Sequence, residues 1–335
     1  MVSPNRGRRM NNSKIEQENI SAETEIKSGN EGGNAFVVRK KKKYQYQAFI
    51  WIAPAIVLLL VFCYYPPIYS IILSFTESRK PQIGEFVGFA NYVKALTDKM
   101  FWIGMRNVLV CIVVGLIAGN LLTFIIAELL NDCKSTRTSN IYRFLFIVPM
   151  VVPGLVGMLI WKNIVFNPSS TGLVNAFLGL FGVEAQGWYA SESQALLSII
   201  LTGFPWVGGP SLLIYLAGLQ NINGEMVEAA KLDGITVPQR VFYIDLPCIL
   251  GQLKYFLVTG IIGGFQAFTW QLIYTGGGPG NNGATMVPGF MIYDTAFNER
   301  RFGYASAIGV ILFIITLILT LINMRMTRNV QTEEK

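Results

Sequence analysis

The sequence predicts an all-α integral membrane protein with six transmembrane helices, on three observations. The 335-residue chain is 52% hydrophobic and only 14% charged, where a soluble domain carries about a quarter. Charged residues are all but absent from the windows 44–76, 107–131, 144–161, 193–224, 255–293 and 302–324. Each window can hold a membrane-crossing helix, which takes roughly 17–25 residues. Helices buried in a large soluble protein are shorter and keep a polar stripe.

The elements follow in order. Residues 1–43 are polar and poor in aromatics, a composition that cannot bury enough surface to fold alone. They end in the basic run Arg39, Lys40, Lys41, Lys42, Lys43, directly before a first span at about 47–75. Cytoplasmic segments carry the excess of Lys and Arg, so the N-terminus is expected inside. A secretory signal has a far shorter charged region and a shorter apolar run. The second span is expected at about 107–130 and the third, with Pro149 and Pro153, at about 144–162. The fourth, at about 194–218, contains GFPWVGGPS. The fifth is expected at about 252–274 and the sixth at about 303–325. The membrane domain covers 44–328, and a short tail, 329–335, follows on the inside with Arg325 and Arg328 beside it. The segments 131–143 and 219–251 then fall inside, and 76–106, 163–193 and 275–302 outside.

Several function classes are excluded. There is no histidine, which removes His-based acid–base catalysis and most zinc and haem sites. The four cysteines have neither metal nor disulfide spacing. No metal or other cofactor is expected. The net charge of +7 is mostly a topology signal rather than a nucleic-acid footprint. The span interiors are read as neutral, which disfavours an ion-coupled carrier. The potassium-filter loop is absent. No GxxxxGK[ST] occurs, so an ATPase would be a separate subunit. GGGPGNNG (Gly276–Gly283) lacks the Lys-Ser/Thr ending of a phosphate loop. It is read as a tight outer turn reaching a partner. Trp188 and Tyr189 are read as outer-interface anchors.

The inner segment LQNINGEMVEAAKLDGITVPQRVFYIDLP is patterned to touch something. Residues Glu225–Leu232 favour helix, Asn223 or Gly224 can cap it, and Gly234 stops it in the left-handed conformation. Pro238 suits the first turn of a second short helix. Val241, Phe242 and Ile244 give that helix an apolar side, and Pro247 ends it. Ala229 and Ala230 permit close approach by another surface.

Here the chain resembles a known family. Glu228, Ala229, Ala230, Gly234, Ile244, Leu246 and Pro247 match the EAA loop of ATP-binding-cassette importer permeases. Asp233 and Phe242 resemble the carbohydrate-importing branch. FVGFANY (Phe86–Tyr92), the loop TGGGPGNNGATMVPGFMIYDTAF and FGYASAIGV (Phe302–Val310) extend the resemblance over most of 45–328. It is similar to the larger permease of the maltose importer class, without that subunit's large outer domain. The resemblance implies a type I importer permease fold, with EAA coupling helices docking on an ATPase dimer through Glu228, Ala229, Ala230, Asp233, Gly234, Phe242, Leu246 and Pro247. It implies a second permease as partner, an extracytoplasmic solute-binding protein and a sugar as solute. The protein would sit in the bacterial cell membrane among lipid, would not itself be an enzyme, and would bind no nucleic acid. Binding-protein docking is expected at Asn91, Tyr92, Gly277, Gly278 and Pro279.

A solute pathway needs room, polar partners and flat apolar faces. On the fifth span Gly260, Gly264, Ala267 and Gln271 share a helical face, with Gly263, Gln266 and Trp270 beside it. The opposite side, Ile261, Phe265, Phe268 and Leu272, is wholly apolar. The small residues fit helix packing and a pathway equally, whereas the amides favour a pathway because a buried amide needs partners. On the fourth span Gly203 and Trp206 join them, Trp206 as a stacking surface. The expected function is transport of an oligosaccharide. The alternatives are a permease for another solute, such as a glycerol-phosphate, or an ion-coupled carrier.

Overall fold

The computed structural model describes residues 45–276 and 281–331. The expected tail 1–43 and the turn residues Gly277, Gly278 and Pro279 lie outside them. The chain divides into two compact units, 1–63 and 64–335. In the first, α1 (Gln45–Leu59) runs into a π-helical turn, Leu60–Tyr64. From Phe49 on its side chains are apolar and exposed, with Trp51 85% exposed, as suits a lipid-facing helix.

The second unit opens with α2 (Tyr65–Ser74) and a small antiparallel hairpin, β1 (Thr76–Glu77) and β2 (Glu85–Phe86), in which Thr76 faces Phe86. After α3 (Ala90–Thr97) comes the longest helix, α4 (Lys99–Asn131), capped by Asp98 through the Met100 amide. Next is α5 (Thr136–Ile147), capped by Ser135. A tight turn around Pro149 and Pro153 then leads into α6 (Gly154–Ile160) and a π turn, Trp161–Val165. The outer segment holds α7 (Leu173–Gly179). Next come α8 (Ala195–Leu201) and α9 (Gly209–Gln220). The helices α10 (Gly224–Leu232), α11 (Val237–Arg240) and α12 (Leu246–Cys248) make the loop expected on the inside. They lead into α13 (Leu250–Gln266), α14 (Thr269–Tyr274), α15 (Pro288–Tyr293) and α16 (Phe302–Gln331).

Phe49–Ser74, Lys99–Asn131 and Phe302–Arg325 are each long and apolar enough to cross a membrane. Two bent pairs, Thr136–Val151 with Gly154–Val165 at 92° and Val237–Cys248 with Leu250–Gln266 at 67°, bring the count to five among the described residues only where each pair counts as one span. The window 194–218 holds no single long helix: α8 and α9 flank the irregular segment 202–208, which contains a cis Phe204–Pro205 bond. Pro205 there lacks an amide hydrogen to donate and the glycines weaken helix, and non-helical backbone at membrane depth survives only against protein or a cavity.

Helix α4 is the central column. Its first half joins Phe101, Met105, Val108 and Ile112 to Phe265 of α13, Phe290 of α15 and Ile308 of α16. Its second half joins Ala127 and Leu130 to Leu212, Tyr215 and Leu219 of α9. The apolar side of α13 and α14 packs into the first cluster, with Ile261, Phe268 and Leu272 against it. A third cluster, Phe166, Tyr189, Ile199 and Tyr274, closes the opposite end. Buried Asn107 donates to the carbonyls of Gly283 and Met286, both at 3.0 Å, so the loop before α15 is satisfied by a side chain of α4.

Candidate functional site

Two regions gather the residues singled out in the sequence. The first is the loop of α10 to α12. Asn223 Oδ1 accepts from the Glu225 amide at 2.9 Å and starts α10. Gly234 ends it at φ +76°, a conformation that costs an L-residue roughly 1–2 kcal/mol. Thr236 begins α11, its amide and hydroxyl both donating to Gln239 Oε1. No residue of α10 is buried. Glu228, Ala229, Asp233 and Gly234 are exposed, and Leu232 is 90% exposed. Phe242 and Pro247 are exposed too, whereas Ala230 and Leu246 are half-buried. Phe242 therefore points away from the protein. Pro247 does not end the helical path. It lies in the first turn of α12, and the chain bends at Ile249 into α13.

Sequence reading missed Arg240. It is 8% exposed, and its guanidinium bonds Asp245 and Asp132 at 2.8 Å, with Glu128 at 3.5 Å. The available signal was a lone arginine and an aspartate five residues on. That spacing matches the π turn Val241–Asp245, not an α-helical face. Glu128 also corrects the reading of the span interiors as neutral. It lies inside the expected second span, and its carboxylate is buried.

The second region is a cavity of about 630 Å³ walled by α4, by the 199–208 segment and by α13 and α14. Gly203, Trp206, Gly260, Gly264, Ala267, Trp270 and Gln271 all line it. Trp206 is held at φ +57° with its Nε1 donating to Ile200 O at 2.8 Å. Gln271 is 4% exposed, and its Oε1 has no hydrogen-bond partner among the described residues. No charged side chain lines the cavity among the described residues. Gly263 and Gln266 stand outside it and are exposed. The expected face assumed an unbroken helix, but α13 ends at Gln266 and Ala267 is extended, with ψ 126°. The break turns α14 so that Trp270 and Gln271 swing into the cavity.

Gly260 and Gly264 also pack. A Cβ on Gly260 would lie 2.4 Å from Leu116 Cδ2, and one on Gly264 2.3 Å from Ile112 Cγ1. These glycines therefore bring α13 against α4 and leave part of the cavity wall without side chains.

Of the outer residues, Asn91 donates to the carbonyls of Ser74 and Thr76 at 3.0 and 2.9 Å. The Tyr92 hydroxyl meets Ser74 Oγ at 2.6 Å. Both tie α3 to the end of α2, and both are only half-buried. Tyr189 is a core residue rather than a surface anchor, stacked on Tyr274 with ring centroids 4.4 Å apart. Burial pushes its hydroxyl pKa up.

Comparison with known proteins adds the following. The family described as the binding-protein-dependent transport system inner membrane component matches residues 119–331. The probable ABC transporter permease protein YurN of Bacillus subtilis is 32% identical over 83% of this chain and 94% of that relative. The arabinooligosaccharides transport system permease protein AraP of the same organism is 31% identical, over 85% and 90% respectively. A chain of a bacterial alginate ABC transporter, solved with an alginate pentasaccharide-bound periplasmic protein, superposes with a TM-score of 0.75 at 22% identity. That match covers 86% of this chain and 96% of the other.

Proposed function

This chain belongs to the binding-protein-dependent transport system inner membrane components, and from that premise we propose that it is one permease subunit of an ATP-driven importer of neutral oligosaccharides. It sits in the bacterial cell membrane with both termini cytoplasmic and crosses six times, the fourth crossing made by α8 and α9 together. A second, related permease supplies the other half of the pathway. A solute-binding protein delivers the sugar from outside, at a face that includes Asn91, Tyr92 and Gly277–Pro279. An ATPase dimer binds the exposed α10 loop from inside.

One observation carries the choice of solute: the buried, unpartnered Oε1 of Gln271 faces a cavity that also presents Trp206 and Trp270 and holds no charge. An unsatisfied buried acceptor costs about 1–3 kcal/mol, and a sugar hydroxyl donating to it recovers that cost. The indole faces suit the apolar faces of pyranose rings. A uronate or a glycerol-phosphate would bring negative charge to a wall with no cation to meet it. The arabinooligosaccharide relative accords with a neutral sugar.

The mechanism follows from where the parts lie. Sugar enters a cavity whose walls are α4 on one side and α13 with α14 on the other. The loop preceding α13 is continuous with that second wall. When ATP closes the ATPases, the loop moves with them and α13 shifts against α4, so access alternates between the two faces. The chain performs no bond chemistry.

The test is reconstitution with the partner permease, ATPases and binding protein, measuring ATP hydrolysis against neutral and uronic oligosaccharides. Stimulation by neutral sugars alone supports the reading. Stimulation by uronic sugars alone, or uptake that follows an ion gradient and ignores ATP, overturns it.

A further inference from the structure

Arg240 is where the loop turns back into the protein, and its surroundings hold more carboxylate than it needs. Its Nε donates to Asp245 Oδ2 at 2.8 Å, and its Nη2 donates to Asp132 Oδ2 at 2.9 Å. Glu128 Oε2 stands 3.5 Å from Nη2, an ion-pair distance, and neither Glu128 oxygen accepts a hydrogen bond. The Arg240 and Glu128 side chains are each 10% exposed, and that of Asp245 is 3% exposed.

The three carboxylates divide into two sets. Asp245 is five residues along the same segment and travels with Arg240. Glu128 and Asp132 belong to α4 and its cap, four residues apart, so they lie one above the other about one 5.4 Å turn apart. Asp132 is fully engaged, and Glu128 is within reach but not bonded. The guanidinium thus has two seats on α4.

We propose that Arg240 is the positioning residue of a two-seat latch. It donates to Asp132 in this structure and passes its hydrogen bond to Glu128, already at ion-pair distance from the same Nη2, when the loop is displaced. The proposal rests on the docking role of the loop given above. Exchanging one carboxylate for another keeps the buried cation paired throughout, which a simple rupture would not. The two halves of the latch also own the two walls of the cavity. Cys111 to Ala118 of α4 line one, and α13, which follows Arg240 through the bend at Ile249, brings Gly260 and Gly264 to the other. A step at the latch therefore slides the glycine face of α13 past Ile112 and Leu116.

The experiment uses the full importer in lipid nanodiscs, with the four cysteines replaced by alanine. Spin labels at Leu121 and Val237, both exposed, report the position of the loop along α4 with and without a non-hydrolysable ATP analogue. The wild type should show two distinct distances, the shorter one populated with the analogue. Glu128→Gln should keep only the longer distance and lose stimulation of hydrolysis by sugar-loaded binding protein. Asp132→Asn should populate the shorter distance without nucleotide, and Asp132→Glu should restore both distances. If both neutral variants keep the wild-type distances, or if all three variants lose intact complex alike, the cluster is merely structural and the latch is overturned. If the wild-type complex retains no ATPase at all, the docking role itself has failed, and the latch fails with it.

Discussion

Replacing Gly264 with alanine tests whether α13 is held against α4 by contact at a bare backbone. The new Cβ would sit 2.3 Å from Ile112 Cγ1 and 2.8 Å from Ile112 Cδ1, where carbon pairs are comfortable at about 3.5–4.0 Å. Ile112 is 8% exposed and packed, so it cannot simply rotate away. Overpacking of this kind costs about 1–3 kcal/mol. Alanine gains about 1 kcal/mol over glycine in helix propensity, leaving a net loss of roughly 0–2 kcal/mol. Gly263, the preceding residue on the same helix, has nothing within 4 Å of its would-be Cβ. Gly263→Ala therefore takes the propensity gain alone. The difference between the two variants isolates the contact at about 1–3 kcal/mol. The assay is the thermal midpoint of the purified importer complex by tryptophan fluorescence, with uptake measured alongside. Gly264→Ala should melt below Gly263→Ala and transport more slowly. Adding Ile112→Ala should cost less in the Gly264→Ala background than in the wild type, because it removes the clash. A Gly264→Ala midpoint at or above that of Gly263→Ala would refute the reasoning.

Further outcomes follow from the same geometry. Gln271→Leu removes a buried acceptor with no partner among the described residues, so the thermal midpoint should hold or rise while the sugar concentration for half-maximal uptake increases about tenfold, equivalent to about 1.4 kcal/mol. A fall in the midpoint with unchanged uptake would count against a sugar contact there. Glu228→Lys lies on a helix that buries nothing, so the chain should fold with an unchanged midpoint yet lose the ATPase on co-purification. Arg240→Met leaves three carboxylates around no cation, and breaking such a pair costs about 3–5 kcal/mol. The yield of monodisperse complex should collapse, and Asp245→Asn combined with Asp132→Asn should partly restore it.

The sequence made the long apolar helices and the inner loop legible because their signals are local. Asn223, the acid-rich first turn and Gly234 set the ends of α10 through capping and backbone conformation alone, and the observed helix starts one residue from the expected Glu225. The prolines and glycines of 203–211 marked the interruption between α8 and α9. Ala267 and Phe268 carry no such mark. The break there is imposed by packing, with Phe268 drawn against the α4 cluster, so Gly263 and Gln266 were grouped with residues they do not join. Trp270 and Gln271 reached the cavity all the same, turned into it by that break. Arg240 was illegible for a different reason: two of its partners, Glu128 and Asp132, lie more than a hundred residues away in sequence. Asn91 and Tyr92 were legible as a motif, but their hydrogen bonds to the end of α2 give them an internal duty that spacing does not reveal.

The length of α4 bears on how the chain meets its bilayer. Thirty-three residues at 1.5 Å each make a rod of about 50 Å, against a hydrocarbon layer about 30 Å thick. Even a tilt of about 40°, the upper end of what spanning helices adopt, would use only about 39 Å of it. About 10 Å must therefore emerge among the headgroups. The end that carries Glu128 and Asp132 is the one tied to the α10–α12 loop through Arg240, so emergence at that end keeps the ion cluster out of oil, where isolated charges are far more costly. An over-long column of this kind can rock or slide without dragging a charge into hydrocarbon, and its fit is indifferent to modest changes in lipid chain length.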